Sequence, residues 1–185
     1  MIIALVGESG AGKSLIERKL CEKLGYEKMI SYTTRPQRTG EVNGRDYHFI
    51  DNETFIEGIQ KGLFAEYEEY SQGRLYGTLK SDFKTSANKV TVLTPNGVRQ
   101  LKENCNMDNI FIIYVTANLG TRIKRYIDRC GVAKFNFDDK NEICSRVERD
   151  FGMFLGIQDQ ADLTVENNEG TNIDELVQII IQEFN

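Results

Sequence analysis

The sequence has little that could hold a metal cluster. It carries a single histidine and four cysteines in 185 residues. Cys21, Cys105, Cys130 and Cys144 form no C-x-x-C pair, which argues against a zinc site and for reduced thiols. Long hydrophobic runs are also lacking. The longest internal one, IFIIYV at 110–115, falls far short of the roughly 20 apolar residues that cross a bilayer. The opening MIIALVGESG has neither the basic segment nor the apolar length of a signal peptide, so a soluble, cytoplasmic chain is expected. There is no excess of positive charge. The formal net charge of −5 argues against nonspecific nucleic-acid binding, which needs a basic face. Internal repeats and low-complexity segments are absent as well. The composition, 40% apolar and 28% charged, is ordinary for one globular domain with room for a small subdomain or lid.

The patterning alternates strands with helices. MIIALV reads as a buried strand ending at Gly7. KSLIERKLCEKL places Leu15, Ile16, Leu20 and Leu24 at helical spacing and stops at Gly25. KVTVLT (89–94) and NIFIIYV (109–115) are further strands, separated by a short helix that Pro95 opens. ADLTVEN and TNIDELVQIIIQEF give a last strand and helix, with Thr171 and Asp174 as a capping box. This order predicts an α/β fold with a central parallel sheet covered on both faces. Two inserts interrupt it. Residues 32–79 carry alternating patterns such as DYHFI and FAEYEEY, which predict a small antiparallel sheet. Residues 118–158 are charged and helical, with NFDDKNE as an exposed tip. The core is then 1–31, 80–117 and 159–185.

GESGAGKS, Gly7 to Ser14, fits G-x-x-x-x-G-K-S between a predicted strand and a predicted helix. Glycines let backbone N–H groups curl around a triphosphate, and the helix N-terminus adds a favourable field. Gly7, Gly10, Ala11, Gly12, Lys13 and Ser14 are therefore candidate ATP-binding residues. Lys13 would neutralise the β- and γ-phosphates, and the Ser14 hydroxyl would help hold Mg²⁺. The motif does not say what receives the phosphoryl group. SYTTRPQRTGEVNGRDYHF (31–49) gathers Ser31, Arg35, Arg38 and Tyr47, side chains that suit a second phosphate. On composition alone the stretch reads equally well as a solvated charged loop.

These motifs, with FAEYEEYSQGRLYGT, make the sequence resemble the guanylate kinase family. The pattern S-x-T-T-R-x-x-R-x-G-E-x-x-G-x-D-Y-x-F is met from Ser31 to Phe49. The resemblance implies a P-loop NTPase fold with an NMP-binding insert at 32–79 and a helical lid at 118–158. It implies that ATP and GMP are the substrates and Mg²⁺ the cofactor, with neither nucleic acid nor membrane as partner. Ser31, Arg35, Arg38, Tyr47 and Tyr76 would hold the GMP phosphate, and Glu66 and Thr78 would read guanine. In the lid, Arg122, Arg125 and Arg129 recur at helical spacing, and the family's I-x-x-R pattern points to Arg146, with Arg149 one turn on. Lys13, Arg38 and Arg146 would carry the catalytic charge stabilisation. Asn167 would lie beside the adenine of ATP.

The sequence departs from the family in three places, one of them a lid loop longer than usual. Val92 and Thr94 stand where the resemblance places acidic residues, which support Mg²⁺ through water and help to read guanine. The hairpin YSQGRLYGT is one residue longer than usual, enough to displace Tyr76. These departures keep two other readings in play: a related kinase for another small phosphorylated acceptor, and a non-catalytic binding module. The intact GAGKS argues against the module. His48 is expected on a strand surface without chemistry.

Overall fold

The computed structural model describes residues 1–71, 73–84, 86–104, 109–131 and 135–184. Cys105 lies outside them, so its expected thiol state is not placed. Two sheets organise the chain. The larger is five-stranded and parallel throughout, in the order β2-β7-β1-β8-β9. Its strands are β1 (Ile2–Val6), β2 (Glu27–Lys28), β7 (Lys89–Leu93), β8 (Ile110–Thr116) and β9 (Leu163–Glu166). The central strand β1 is buried at every residue, as expected for a strand covered on both faces. Its side chains alternate between two cores. Ile2, Ala4 and Val6 face one core with Leu93, Val98, Leu101, Ile112 and Tyr114. Ile3 and Leu5 face the other, with Ile16, Leu20, Ile113, Val115, Val177 and Ile180.

The helices α1 (Lys13–Leu24) and α7 (Ile173–Glu183) close the second core, and α4 (Pro95–Asn104) closes the first. Gly25 caps α1 at φ 67°, as its position in the sequence implied. At α7 the expected cap is corrected. The N-cap is Asn172 and not Thr171, and the Asn172 side chain accepts from the Asp174 and Glu175 backbone N–H groups.

The second sheet, order β4-β3-β6-β5, lies within residues 32–79. It comprises β3 (Tyr32–Thr33), β4 (His48–Phe49), β5 (Phe64–Ser71) and β6 (Arg74–Leu79). It is mixed and not purely antiparallel, because β3 and β4 run parallel. A helix separates β4 from β5. This is α2 (Asn52–Gln60), capped by Asp51, with Phe55 stacked on Phe64 at 4.3 Å between ring centroids. A single turn, α3 (Lys80–Phe83), leads back to the large sheet. His48 sits on β4 and stacks on Tyr32 at 4.5 Å.

The remaining helices are α5 (Leu119–Cys130) and α6 (Phe137–Met153). The expected tip NFDDKNE is exposed at all but Asp139, and it forms the N-cap and first turns of α6. Asn136 and Asp139 form a capping box there, each side chain accepting from the other's backbone N–H. A charged stretch thus starts a helix, because acids favour the positive end of the helix dipole.

Candidate active site

The glycine-rich loop leaves the C-terminal end of β1 and enters α1. Gly7 has no space for a side chain, since a Cβ there would lie 2.0 Å from the Val115 carbonyl oxygen. Gly12 adopts φ 98° as the N-cap of α1, and its Cβ would meet Asn167 Nδ2 at 2.2 Å. Lys13 folds back over the loop, donating to the Gly7 and Glu8 carbonyls at 2.5 and 3.0 Å. Burial brings its ammonium down to about 8, against the opposing pull of Asp150 and Glu8. Ser14 is exposed in the first turn of α1.

The loop is braced by α5 and α6. Asp150, 1% exposed, accepts from the Ser9 backbone N–H at 2.8 Å and from Arg122 at 2.7 Å. Arg122 Nε donates to the Ser9 carbonyl at 2.9 Å. Arg149 donates to Asp150 and to the Ser9 hydroxyl. Arg125 donates to the Gly10 carbonyl and to Asn167 Oδ1, at 3.0 and 3.2 Å. Asn167 in turn donates to the Ala11 carbonyl at 2.8 Å. Arg122, Arg125 and Asn167 therefore hold loop carbonyls, while Arg149 holds the Ser9 hydroxyl and Asp150 takes the Ser9 N–H. Arg129 and Arg146 instead line the open cavity, both over the Tyr126 ring at 5.5 and 5.4 Å. Burial and the neighbouring Arg146 lower the Arg129 guanidinium. Arg146 is also held by Glu142 at 2.5 Å.

Across the same cavity stands the arginine-rich stretch. Arg35 is 4% exposed and donates to Glu41 Oε1 at 2.7 Å and to the Pro36 carbonyl at 2.8 Å. Its guanidinium stacks over Tyr47 and Phe49, 5.5 and 5.6 Å from their centroids. Glu41 also accepts from the Arg38 backbone N–H at 2.8 Å, so one carboxylate shapes both arginines' loop. Burial and the adjacent Tyr76 push the Tyr47 phenol up to about 12, which keeps it a donor at neutral pH. The Tyr76 ring lies 5.9 Å from that of Tyr47, and both line the cavity. The β5–β6 pairing is irregular between Glu69 and Ser71.

Glu66, 7% exposed, lines the same cavity. Burial pushes its carboxyl up to about 7, opposed by the Thr78 hydroxyl bond and reinforced by the charge of Glu68. Thr78 is fully buried behind it, 3.1 Å from the Ser31 hydroxyl. Its hydroxyl is thus committed to Glu66 and Ser31. Val92 and Thr94 end β7 on the same cavity wall.

Several participants escaped the sequence reading. Glu41 had a visible signal, an acid inside an arginine-rich loop. Asp150 follows Arg149 directly. Glu17, 6% exposed, sits one turn after Ser14, lines the cavity and pairs with Lys28 at 3.7 Å. Burial pushes it up to about 7. Its signal was a charge beside Ile16 on the buried face of α1. Glu68 had none.

A cavity of about 770 Å³ is lined by the P-loop, by Arg35, Arg38, Tyr47 and Tyr76, and by Glu66 and Glu68. Among the described residues no cluster of His, Cys, Asp and Glu could hold a metal ion, and no helix is long and apolar enough to cross a membrane. A parallel sheet whose central strand feeds a braced glycine loop, opposite a second cationic wall, defines a P-loop phosphotransferase. The comparisons with known proteins narrow the class. The family profile "Guanylate kinase" matches residues 1–177. The guanylate kinase of Streptococcus thermophilus is 30% identical over 98% of this chain and 86% of its own length. That of Clostridioides difficile is 30% identical over 100% of this chain and 95% of its own. The crystal structure of guanylate kinase from Anaplasma phagocytophilum superposes with a TM-score of 0.71 at 20% identity, covering 100% of this chain and 84% of that one. The chain belongs to the guanylate kinase family.

Proposed function

We propose that this chain transfers the γ-phosphoryl group of ATP to GMP, giving ADP and GDP. The observation that supports this best is one cavity lined together by the P-loop, the buried Glu66 carboxylate and the packed Arg35, Tyr47 and Tyr76. We take residues 32–79 as the NMP-binding insert and 118–158 as the lid.

A phosphate oxygen of GMP attacks the γ-phosphorus as the bond to the β,γ-bridging oxygen breaks and ADP leaves. The attacking oxygen is largely deprotonated already, since the second pKa of a phosphate monoester is about 6, so no general base is assigned. Catalysis comes from alignment and charge neutralisation. The loop N–H groups and Lys13 hold the β- and γ-phosphates. Arg35, fixed by Glu41, and Arg38 hold the acceptor phosphate with the Tyr47 and Tyr76 hydroxyls. Arg129 and Arg146 approach the transferring group from the lid. Glu66, once ionised, accepts from guanine N1–H and the 2-amino group, a donor pair that adenine lacks. Ser31 and Thr78 orient that carboxylate.

The donor set fits Mg²⁺ that arrives with the nucleotide. Ser14 offers one exposed hydroxyl, and Mg²⁺ keeps most of its water and binds through few protein ligands. When bound it neutralises charge on the β- and γ-phosphates. We place the activity in the cytoplasm, where both nucleotides are available.

The test is a coupled assay of ADP formation with ATP and a panel of GMP, AMP, CMP and UMP, for wild type and Lys13→Met. GMP should be preferred, and Lys13→Met should lower turnover by about two orders of magnitude or more while melting like wild type. No preference for GMP, or a Lys13→Met variant within about tenfold of wild type, would overturn the assignment.

A further inference from the structure

β5 presents two carboxylates to the cavity. Glu66 and Glu68 are two residues apart, so their side chains leave the same face of the strand, and both line the cavity. Opposite them, Thr94 at the end of β7 donates its hydroxyl proton to Glu68 Oε2 at 2.5 Å. The same hydroxyl oxygen accepts from the Gly97 backbone N–H at 3.0 Å, which fixes the rotamer. The groups converge on one point. A Cβ built on Gly97 would lie 3.0 Å from Glu66 Oε2 and 3.3 Å from Thr94 Oγ1. Glycine at 97 therefore keeps this corner open, and the Thr94 hydroxyl holds the Glu68 carboxylate at its edge.

Two carboxylates on one face of a cavity repel each other unless something donates to both, and the charge of Glu68 helps push the Glu66 carboxyl up. Guanine has more donors on this edge than one carboxylate can take. It shows N1–H and both hydrogens of the 2-amino group. The two oxygens of Glu66 satisfy N1–H and the nearer amino hydrogen, leaving the other to find an acceptor or be buried unpaired. Thr94 is a poor candidate, because a charged acceptor is stronger than a neutral hydroxyl and its oxygen already accepts from the Gly97 N–H.

We propose that Glu68, held by Thr94, is a second specificity-determining residue, whose carboxylate accepts the outer hydrogen of the guanine 2-amino group. It supplies from β5 the acid that the family resemblance placed at position 94. The inference rests on the GMP assignment above and adds a base-pocket residue to it.

IMP separates the two carboxylates, because its base keeps N1–H and lacks the 2-amino group. The experiment measures kcat/KM for GMP and for IMP in wild type, Glu68→Ala and the isosteric Glu68→Gln, with melting curves. Working at about pH 8.5 keeps carboxylates ionised. The GMP/IMP ratio should fall about tenfold in both Glu68 variants, the size expected for one unpaired buried donor. Thr94→Val should lower it in the same direction. An unchanged ratio in a variant that melts like wild type would overturn the proposal. So would GMP and IMP falling together, which would make Glu68 structural. Wild type using neither substrate would remove the GMP assignment itself, and the proposal with it.

Discussion

Arg35 is buried to 4% exposure with its charge intact. Burial alone disfavours that charge, yet the bond to Glu41 and the nearby Tyr76 raise the guanidinium overall. The side chain is held before any ligand arrives, which lowers the ordering cost of binding. Arg35→Leu should therefore lower kcat/KM for GMP by about two orders of magnitude, in line with losing a charge-assisted bidentate contact. The KM for ATP should change less than about threefold. Steady-state kinetics with each substrate varied in turn checks this, and an unchanged GMP dependence would remove the clamp. The arginines, tyrosines and Glu66 were legible because an uncommon residue pattern carries them. Their supporting acids were not. Whether Glu17, Glu41, Glu68 or Asp150 is a solvated charge or a buried anchor depends on which side chain folds opposite it, and no local pattern encodes that.

At the scale of elements, the glycine loop is held from outside. α5 and α6 reach it through Arg122, Asp150 and Arg149, and β9 is followed at once by Asn167, which bonds the Ala11 carbonyl. Asp150 accepts the Ser9 N–H and two arginines while almost wholly buried. Asp150→Asn removes the charge and leaves two guanidiniums facing an amide. Breaking a buried pair this way costs about 3–5 kcal/mol, or roughly 10 °C in a chain of this size. Both Tm and ATP affinity should fall. A melting curve and a nucleotide titration measure them, and a variant matching wild type in both would show that the brace is idle. Strand and helix types were mostly readable from periodicity, as for β1, α1 and α4. The misses share a cause. Thr171 and Asn172 are adjacent, equally plausible caps, and packing chose the second. Asn136 and the acids after it were readable as an exposed tip, but the helix start that their capping box makes there was not. α2, between β4 and β5, carries only Phe55 and Gly58 buried, too little apolar pattern to announce itself.

Across the whole molecule, an acidic chain builds a cavity lined by both basic and acidic side chains. The net charge of −5 therefore predicts little about the ligand, and the local arrangement predicts much. On the proposed reading, ATP's phosphates meet the P-loop, the acceptor phosphate meets Arg35 and Arg38, and the base meets Glu66. The order of strands and helices revealed the fold, and two motifs pointed to the two proposed phosphate sites. The proposed base pocket was only half legible, because the second acid we propose for it comes from a different strand than the pattern suggested.

The central claim is that Glu66 reads guanine, and the ratio of kcat/KM for GMP over AMP, followed with pH, tests it most directly. The phosphates of the two substrates titrate alike, so the ratio isolates the base. Glu66 is held up at about 7, so it is neutral below that pH and accepts both donors only above it. In wild type GMP should be preferred, and the ratio should climb as pH rises through about 7. In Glu66→Gln the amide sets a donor against a donor, at about 1–3 kcal/mol. The ratio should then fall about ten- to a hundredfold and lose its pH dependence. Equal use of GMP and AMP by wild type, or a ratio that Glu66→Gln leaves unmoved, would contradict the account.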